Sequence, residues 1–160
     1  MKPPGMNRPL ALLLQIGVVL VGVVVLAFLL WEPHLEGRNA HATPFEIYFH
    51  DPFLAYVYAG SLPFFLALVR AFGLLGHVRR DGAFSRATVD ALRAIQRHAL
   101  VLIGFVIGAL VIILLTGDGE DRPGGIFTCL LATLGAGGMA AVAATLARRL
   151  QSALGLAGKA

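Results

Sequence analysis

The chain alternates between four long apolar runs and short polar segments. The apolar runs cover residues 10–31, 52–76, 98–116 and 126–146. A helix needs about 20 apolar residues to cross a hydrocarbon core roughly 30 Å thick, and each run comes close to that length. The pattern therefore predicts an all-α, integral membrane four-helix bundle that forms a single membrane domain over residues 1–160.

The first two spans each raise an alternative. A secretory signal peptide competes with the first span, because Lys2 and Arg8 precede the apolar run. That run exceeds the roughly 7–15 apolar residues of a signal peptide, so we predict an uncleaved span. In the second span, Pro63 predicts a kink. Arg70 lies six residues before its end, and we expect its side chain to extend to the headgroups rather than to serve a buried functional role.

An amphipathic helix is predicted immediately before the third span. Ser85 is a suitable N-cap, and Phe84 before it can pack against Val89. No proline or glycine follows until Gly104, so residues 86–97 are expected to form a cytoplasmic extension of the third helix. At about 100° per residue, this extension has two faces. One face holds Arg86, Asp90, Arg93 and Arg97, and the opposite face holds Thr88, Ala91, Leu92 and Ile95.

The composition is that of a membrane protein. Hydrophobic residues make up 58% of the chain, charged residues only 14%, and the mean hydropathy is +0.79; about a quarter of a soluble domain is charged. The net charge of +4 would also suit a nucleic-acid-binding protein. However, the excess cations lie beside the apolar runs. That placement favours anionic lipid headgroups as partners and argues against nucleic acid.

The distribution of cations predicts the orientation in the cell membrane. With the N-terminus inside, only Arg38 and Arg122 of the 13 Lys and Arg residues fall in the two external loops. Short cytoplasmic loops are enriched in Lys and Arg. We therefore expect both termini to be cytoplasmic. The cations on the cytoplasmic side are then Lys2, Arg8, Arg70, Arg79, Arg80, Arg86, Arg93, Arg97, Arg148, Arg149 and Lys159.

Candidate chemistry is sparse. The first external loop, residues 32–51, holds His34, His41 and His50 among four acidic residues, but their spacing matches no compact ligand motif, so neither a metal nor a cofactor is predicted. Catalytic motifs of the HExxH and GxSxG types are absent from the sequence, and the span centres carry no ionisable group. We therefore expect a protein that is not an enzyme. Gln15, Ser61 and the Pro63 kink are the only features that suit transport.

Small residues recur at four-residue spacing in the last two spans. Close backbone approach through such residues is a main source of helix association in lipid. The pattern is compatible with packing inside one monomer, which we favour, and with a homodimer interface. The residues are Gly104 and Gly108 in the third span, and Ala132, Ala136, Ala140 and Ala144 in the fourth.

The segment 62–100 resembles the signature of a bacterial family of small four-span membrane proteins, domain of unknown function 2975. The matching features are Pro63-Phe64-Phe65, Leu74-Leu75, Gly82-Ala83-Phe84-Ser85, Val89, Ala91-Leu92, Ile95 and Ala99. The resemblance covers about residues 45–150. It implies the four-span architecture and a link to a small helix-turn-helix regulator encoded nearby, and it brings no catalytic residues. The arginine-rich turn and the lack of a short acidic tail depart from the family pattern.

The arginines around the third helix are the candidate site. Two interpretations remain open, anionic lipid headgroups and a soluble protein partner. The site comprises Arg79, Arg80, Arg86, Arg93 and Arg97. The function that we expect is a non-enzymatic regulatory or interaction partner at the cytoplasmic membrane, with a cytoplasmic regulator protein as the candidate partner. The alternative is a component of a small-molecule or ion transporter or channel.

Overall fold

A computed structural model describes residues 8–35, 41, 43–49, 51–81, 85–116 and 122–155. These residues form five α-helices and no β-strand, which confirms the all-α fold. The helices are α1 (Arg8–Leu35), α2 (Pro44–Phe49), α3 (Pro52–Asp81), α4 (Arg86–Thr116) and α5 (Arg122–Ala153). All except α2 contain a segment that is long and apolar enough to cross a membrane. Each of these four helices contains one of the spans predicted from the sequence.

Three of the helices are longer than a bilayer requires. The helices α3, α4 and α5 have 30, 31 and 32 residues. At 1.5 Å per residue they extend over about 45–48 Å, whereas the hydrocarbon core is about 30 Å thick. About ten residues of each helix must therefore lie outside the hydrocarbon.

Consecutive long helices pack side by side, with α1 along α3, α3 along α4 and α4 along α5. The Gln15 side-chain amide donates a 3.2 Å hydrogen bond from α1 to the Phe72 carbonyl of α3. The Tyr56 hydroxyl donates a 2.9 Å hydrogen bond from α3 to the Phe105 carbonyl of α4. Because α4 packs against both α3 and α5, it contributes to the core, and it also carries three of the five candidate arginines.

The burial of apolar side chains changes abruptly along α4. Before residue 100, Leu92 and Ala99 are only 6% and 1% exposed. From residue 100 onwards, Leu100 is 52% and Leu115 is 77% exposed. Water forces apolar side chains into the protein, whereas lipid accepts them on the surface. The change between Ala99 and Leu100 agrees with an edge of the hydrocarbon on α4 near residue 98, where the sequence predicts the start of the third span.

The compact core extends from that edge towards the polar side, and its α4 residues Val89, Leu92 and Ile95 all precede residue 99. Side chains from α3, α4 and α5 meet there, and their neighbours Ala71, Leu74, Met139, Leu150 and Leu154 pack around them. We call residues 70–81, 85–99 and 143–155 the arginine-rich end of the bundle. Three helices packed through a common core make this end a fixed structure rather than three loose helix termini. The core residues are Ala67, Val89, Leu92, Ile95, Ala143 and Ala147.

At the opposite end, α1 continues through Pro33 to Leu35. A proline has no backbone N–H, so the carbonyl four residues earlier loses its helical partner. The Tyr58 hydroxyl of α3 donates a 3.1 Å hydrogen bond to that carbonyl, which belongs to Leu29. The cross-helix hydrogen bond thus satisfies the group that Pro33 leaves open, and it joins α1 to α3.

The short helix α2 was not expected, because the sequence pattern predicted a polar loop over residues 32–51. A capping box begins the helix. The Thr43 backbone N–H donates to a Glu46 carboxylate oxygen at 2.8 Å, and the Thr43 hydroxyl accepts from the Glu46 backbone N–H at 3.4 Å. The Thr-Pro-x-Glu spacing is a signal for a helix start. Six residues are too few to show the apolar periodicity from which a helix is predicted.

Candidate functional site

Side-chain hydrogen bonds join the end of α3 to the start of α4. The Thr88 backbone N–H donates to the Ser85 hydroxyl at 3.1 Å, so Ser85 caps α4 as predicted. The Ser85 hydroxyl also lies 2.9 Å from the Thr88 hydroxyl and 3.1 Å from Nε2 of His77 on α3. The predicted packing of Phe84 on Val89 falls outside the described residues. These contacts tie the end of α3 to the start of α4.

The five predicted arginines all lie in the arginine-rich end. Arg79 is half-buried, and Arg80, Arg86, Arg93 and Arg97 are exposed. The opposite face of α4, with Thr88, Leu92 and Ile95, is buried against α3 and α5. The apolar face of the extension is therefore occupied by protein and is not free to lie on lipid. The cations point away from a packed core.

Depth separates these arginines into two groups, which the sequence pattern did not do. Measured from Ala99, Arg97 lies two residues out, about 3 Å by helical rise, and Arg93 lies six residues out, about 9 Å. Arg86 is thirteen residues out, about 20 Å. The headgroup layer is about 5–7 Å thick on each side of the hydrocarbon. Arg97 therefore lies at headgroup depth, and the long Arg93 side chain can extend back to that layer, whereas Arg86 lies well beyond it.

The arginines of α3 divide in the same way. Arg70 is exposed and ends an uncharged stretch of 18 residues, residues 52–69, which spans about 27 Å. Arg70 lies six residues before the end of the predicted second span, and the contact of its exposed side chain with the headgroups stays a prediction. Arg79 and Arg80 follow nine and ten residues later, about 14 Å further out. The outer group thus consists of Arg79, Arg80 and Arg86, and we call it the outer arginine cluster.

A surface groove of about 490 Å³ lies on the exposed side of α4. Its lining combines two cations, one acid, one amide and one apolar side chain, all from α4. It starts at headgroup depth and reaches the first exposed leucine of the lipid-facing part. We call it the α4 groove. The lining residues are Asp90, Arg93, Gln96, Arg97 and Leu100.

The two predicted packing glycines have different surroundings. A side chain at Gly108 would collide with the Tyr56 hydroxyl of α3. At Gly104, a Cβ atom would have no heavy atom of another element within 4 Å. Gly108 therefore lies at a helix contact, and Gly104 does not. The predicted packing inside one monomer is therefore found at Gly108 and not at Gly104, and a homodimer interface at Gly104 stays a prediction.

The predicted alanine stripe of α5 follows a different spacing. Ala136 and Ala140 are buried, and Ala132 and Ala144 are only half-buried. The buried face instead continues through Ala143 and Ala147, which the sequence pattern did not single out. A strict four-residue repeat turns by about 40° at each step, whereas spacings of three and four residues together follow one face of a helix.

The polar residues considered for metal binding or transport take part in local contacts. His34 Nδ1 lies 3.0 Å from the Leu30 carbonyl, and its ring contacts Tyr48 at a centroid distance of 5.6 Å. Ser61 donates to the Tyr58 carbonyl at 2.8 Å. Within the described part of the chain, no group of three His, Cys, Asp or Glu side chains could hold a metal ion; His50 lies outside it.

Comparison with known proteins agrees with the membrane architecture. The model of a family described as "Protein of unknown function (DUF2975)" matches residues 36–158. The chain is 30% identical over 150 residues to "Uncharacterized membrane protein YoaS" of Bacillus subtilis (strain 168), which covers 93% of this chain and 94% of that protein. No solved structure matches the chain. The family match includes α2 to α5 and the whole arginine-rich end.

Proposed function

Because the chain belongs to the DUF2975 family, whose description assigns no activity, we propose a function from the arginine-rich end: a non-enzymatic membrane protein that docks a cytoplasmic regulator protein. The observation that carries this proposal is the extension of α3, α4 and α5 beyond the bilayer around a common core. Spanning the membrane does not require these extra turns. A packed surface outside the membrane is what a protein partner needs.

The outer arginine cluster supports a partner with an acidic surface. Arg80 and Arg86 are exposed, and Arg79 is half-buried. Arg79 and Arg80 lie in the last turn of α3, and Arg86 is the first residue of α4, so all three are at the helix ends furthest from the spans. A guanidinium group binds a carboxylate with two parallel hydrogen bonds, which fixes geometry as well as charge. The contacts of Ser85 with Thr88 and His77 hold the start of α4 against the end of α3, so little ordering of these two helix ends would be needed on binding.

The distribution of cations supports a cytoplasmic location for this end. The described cations at this end of the helices are nine arginines, whereas Arg122 begins α5 at the other end. Since Lys and Arg are retained on the cytoplasmic side during insertion, this end would face the cytoplasm, with both termini on the same side. The nine are Arg8, Arg70, Arg79, Arg80, Arg86, Arg93, Arg97, Arg148 and Arg149.

Site-specific photocrosslinking in intact cells tests the proposal. A photoreactive amino acid replaces Arg86 in the full-length protein, and a second variant carries it at Leu115, which is 77% exposed at the other end. We expect one protein adduct of discrete mass at position 86 and none of that mass at position 115. Arg79→Gln together with Arg80→Gln should reduce the adduct at position 86, because both cations lie beside it.

The alternative function, transport of a small molecule or ion, gives a different result. Equal adducts at positions 86 and 115, or no protein adduct at position 86, would contradict the docking proposal. Substrate-dependent flux through purified protein in proteoliposomes would favour transport instead. The Arg79→Gln, Arg80→Gln variant would leave such flux unchanged, because both residues lie outside the membrane.

A further inference from the structure

The α4 groove places two arginines at headgroup depth directly beside a lipid-facing leucine. Arg93 and Arg97 are one turn apart and both exposed, and Leu100 follows on the same face at 52% exposure. Spacings of three and four residues keep all three on one side of the helix. Two arginines that can bind a phosphate therefore lie next to a leucine that can contact an acyl chain, close to the edge of the hydrocarbon.

The same face of α4 continues into the membrane as a shallow channel. Gly104 leaves open space where a side chain would stand. Leu100 on one side of it is 52% exposed, and Ile107 on the other is 55% exposed. Val111 continues the stripe at 48% exposure. The glycine thus leaves a notch between two exposed aliphatic side chains that are seven residues apart, about 10 Å by helical rise, and part of a hydrocarbon chain can lie there.

We propose that this face of α4 binds one anionic phospholipid. Its phosphate lies between Arg93 and Arg97, and one acyl chain runs over Leu100 into the notch at Gly104. The Gln96 amide lies between the two guanidinium groups in sequence and can donate to the ester or glycerol oxygens. The site is separate from the outer arginine cluster, so it holds whether or not a protein docks there.

Charge favours an anionic headgroup over a zwitterionic one. The groove contains two cations and a single acid, Asp90. Asp90 lies seven residues before Arg97, about 10 Å further from the hydrocarbon. Asp90 therefore weakens the attraction of the groove for an anionic phosphate without contacting the phosphate itself. Removing Asp90 should strengthen binding of an anionic lipid, whereas a site built for an ammonium headgroup would lose affinity.

Native mass spectrometry of the full-length protein, titrated with phosphatidylglycerol or phosphatidylcholine, measures this binding directly. The test variant is Arg93→Gln with Arg97→Gln. The matched control is Arg148→Gln with Arg149→Gln, which removes the same charge from exposed positions on α5. We expect the test variant to lower phosphatidylglycerol affinity by about tenfold or more, since charge-assisted hydrogen bonds are lost. The control should change it less than about twofold, because Arg148 and Arg149 do not line the α4 groove and exposed charges that make no direct contact contribute weakly.

Two further variants test the roles of Asp90 and Gly104 in the proposed site. Asp90→Asn should raise phosphatidylglycerol affinity, and Gly104→Leu should lower it by filling the notch while leaving the melting temperature unchanged. Equal losses in the test and control variants would show diffuse electrostatic attraction and overturn the site. Equal binding of both lipids would do the same. If Gly104→Leu instead converted a dimer into a monomer in the spectrum, a second copy of the chain, not a lipid, would cover this face.

Discussion

The Tyr56 side chain of α3 occupies the space that a side chain at Gly108 of α4 would need. Its hydroxyl reaches the Phe105 carbonyl at 2.9 Å, and its ring lies 5.4 Å from the Phe105 ring, centroid to centroid. Gly108 therefore leaves room for a large aromatic side chain of the neighbouring helix, and it does not bring two helix backbones into direct contact. Gly104, one turn earlier on α4, has no such neighbour, so the effects of substitutions at the two glycines can be compared directly.

Gly108→Ala should destabilise the protein because the new methyl group meets the Tyr56 hydroxyl. Overpacking of this kind costs about 1–3 kcal/mol. Gly104→Ala should be neutral or stabilising by up to about 1 kcal/mol, since alanine favours a helix and has open space at this position. Thermal unfolding in detergent measures both. Adding Tyr56→Phe to Gly108→Ala should recover part of the loss. Equal melting temperatures for the two alanine variants would contradict the contact.

The hydrogen bond from Tyr58 to the Leu29 carbonyl should depend on Pro33. Tyr58→Phe leaves that carbonyl without its partner, and we expect a loss of about 1–2 kcal/mol in the free energy of unfolding. In a Pro33→Ala background the alanine N–H can bond to the same carbonyl. The Tyr58→Phe substitution should then cost less. A double-mutant cycle gives the coupling energy directly, and strictly additive effects would show that Tyr58 does not compensate for the proline.

Two leucines of α4 test the position of the membrane edge. Leu92 is 6% exposed within the core, and Leu100 is 52% exposed. Leu92→Ala should cost about 2–5 kcal/mol, as truncations in protein cores do. Leu100→Ala should cost less than about 1 kcal/mol, because lipid can fill the space that the side chain leaves. The same residue type, helix and substitution make this a matched pair in thermal unfolding. Similar losses in the free energy of unfolding for the two variants would contradict the assignment of Leu92 to the core and of Leu100 to the lipid-facing surface.

Hydropathy was sufficient to predict the four long helices because the bilayer demands long apolar segments whatever the tertiary packing. The sequence also indicated that residues 86–97 extend the third helix, since Ser85 supplies a cap and nothing interrupts the chain before Gly104. The pattern of charges pointed to the arginines as a group. These predictions rest on local properties, which a sequence carries directly.

The helix partners could not be predicted in the same way. Gly104 and Gly108 look alike in sequence, and only the crossing of α3 and α4 distinguishes them. The division of the arginines by depth also required the burial change at residue 100. Where helices touch depends on side chains far apart in the chain, such as Tyr56 against Gly108, and no local pattern encodes that pairing.

The orientation of the arginine-rich end is the claim on which partner docking depends, and thiol labelling of intact cells tests it most directly. Cys129 is the only cysteine, so Cys129→Ser gives a background for single exposed positions at the two ends, Thr43→Cys before α2 and Ser152→Cys in α5. With a membrane-impermeant maleimide, we expect Thr43→Cys to be labelled in intact cells and Ser152→Cys only after permeabilisation. Labelling of Ser152→Cys in intact cells would place the arginine-rich end outside and contradict the proposed cytoplasmic docking surface.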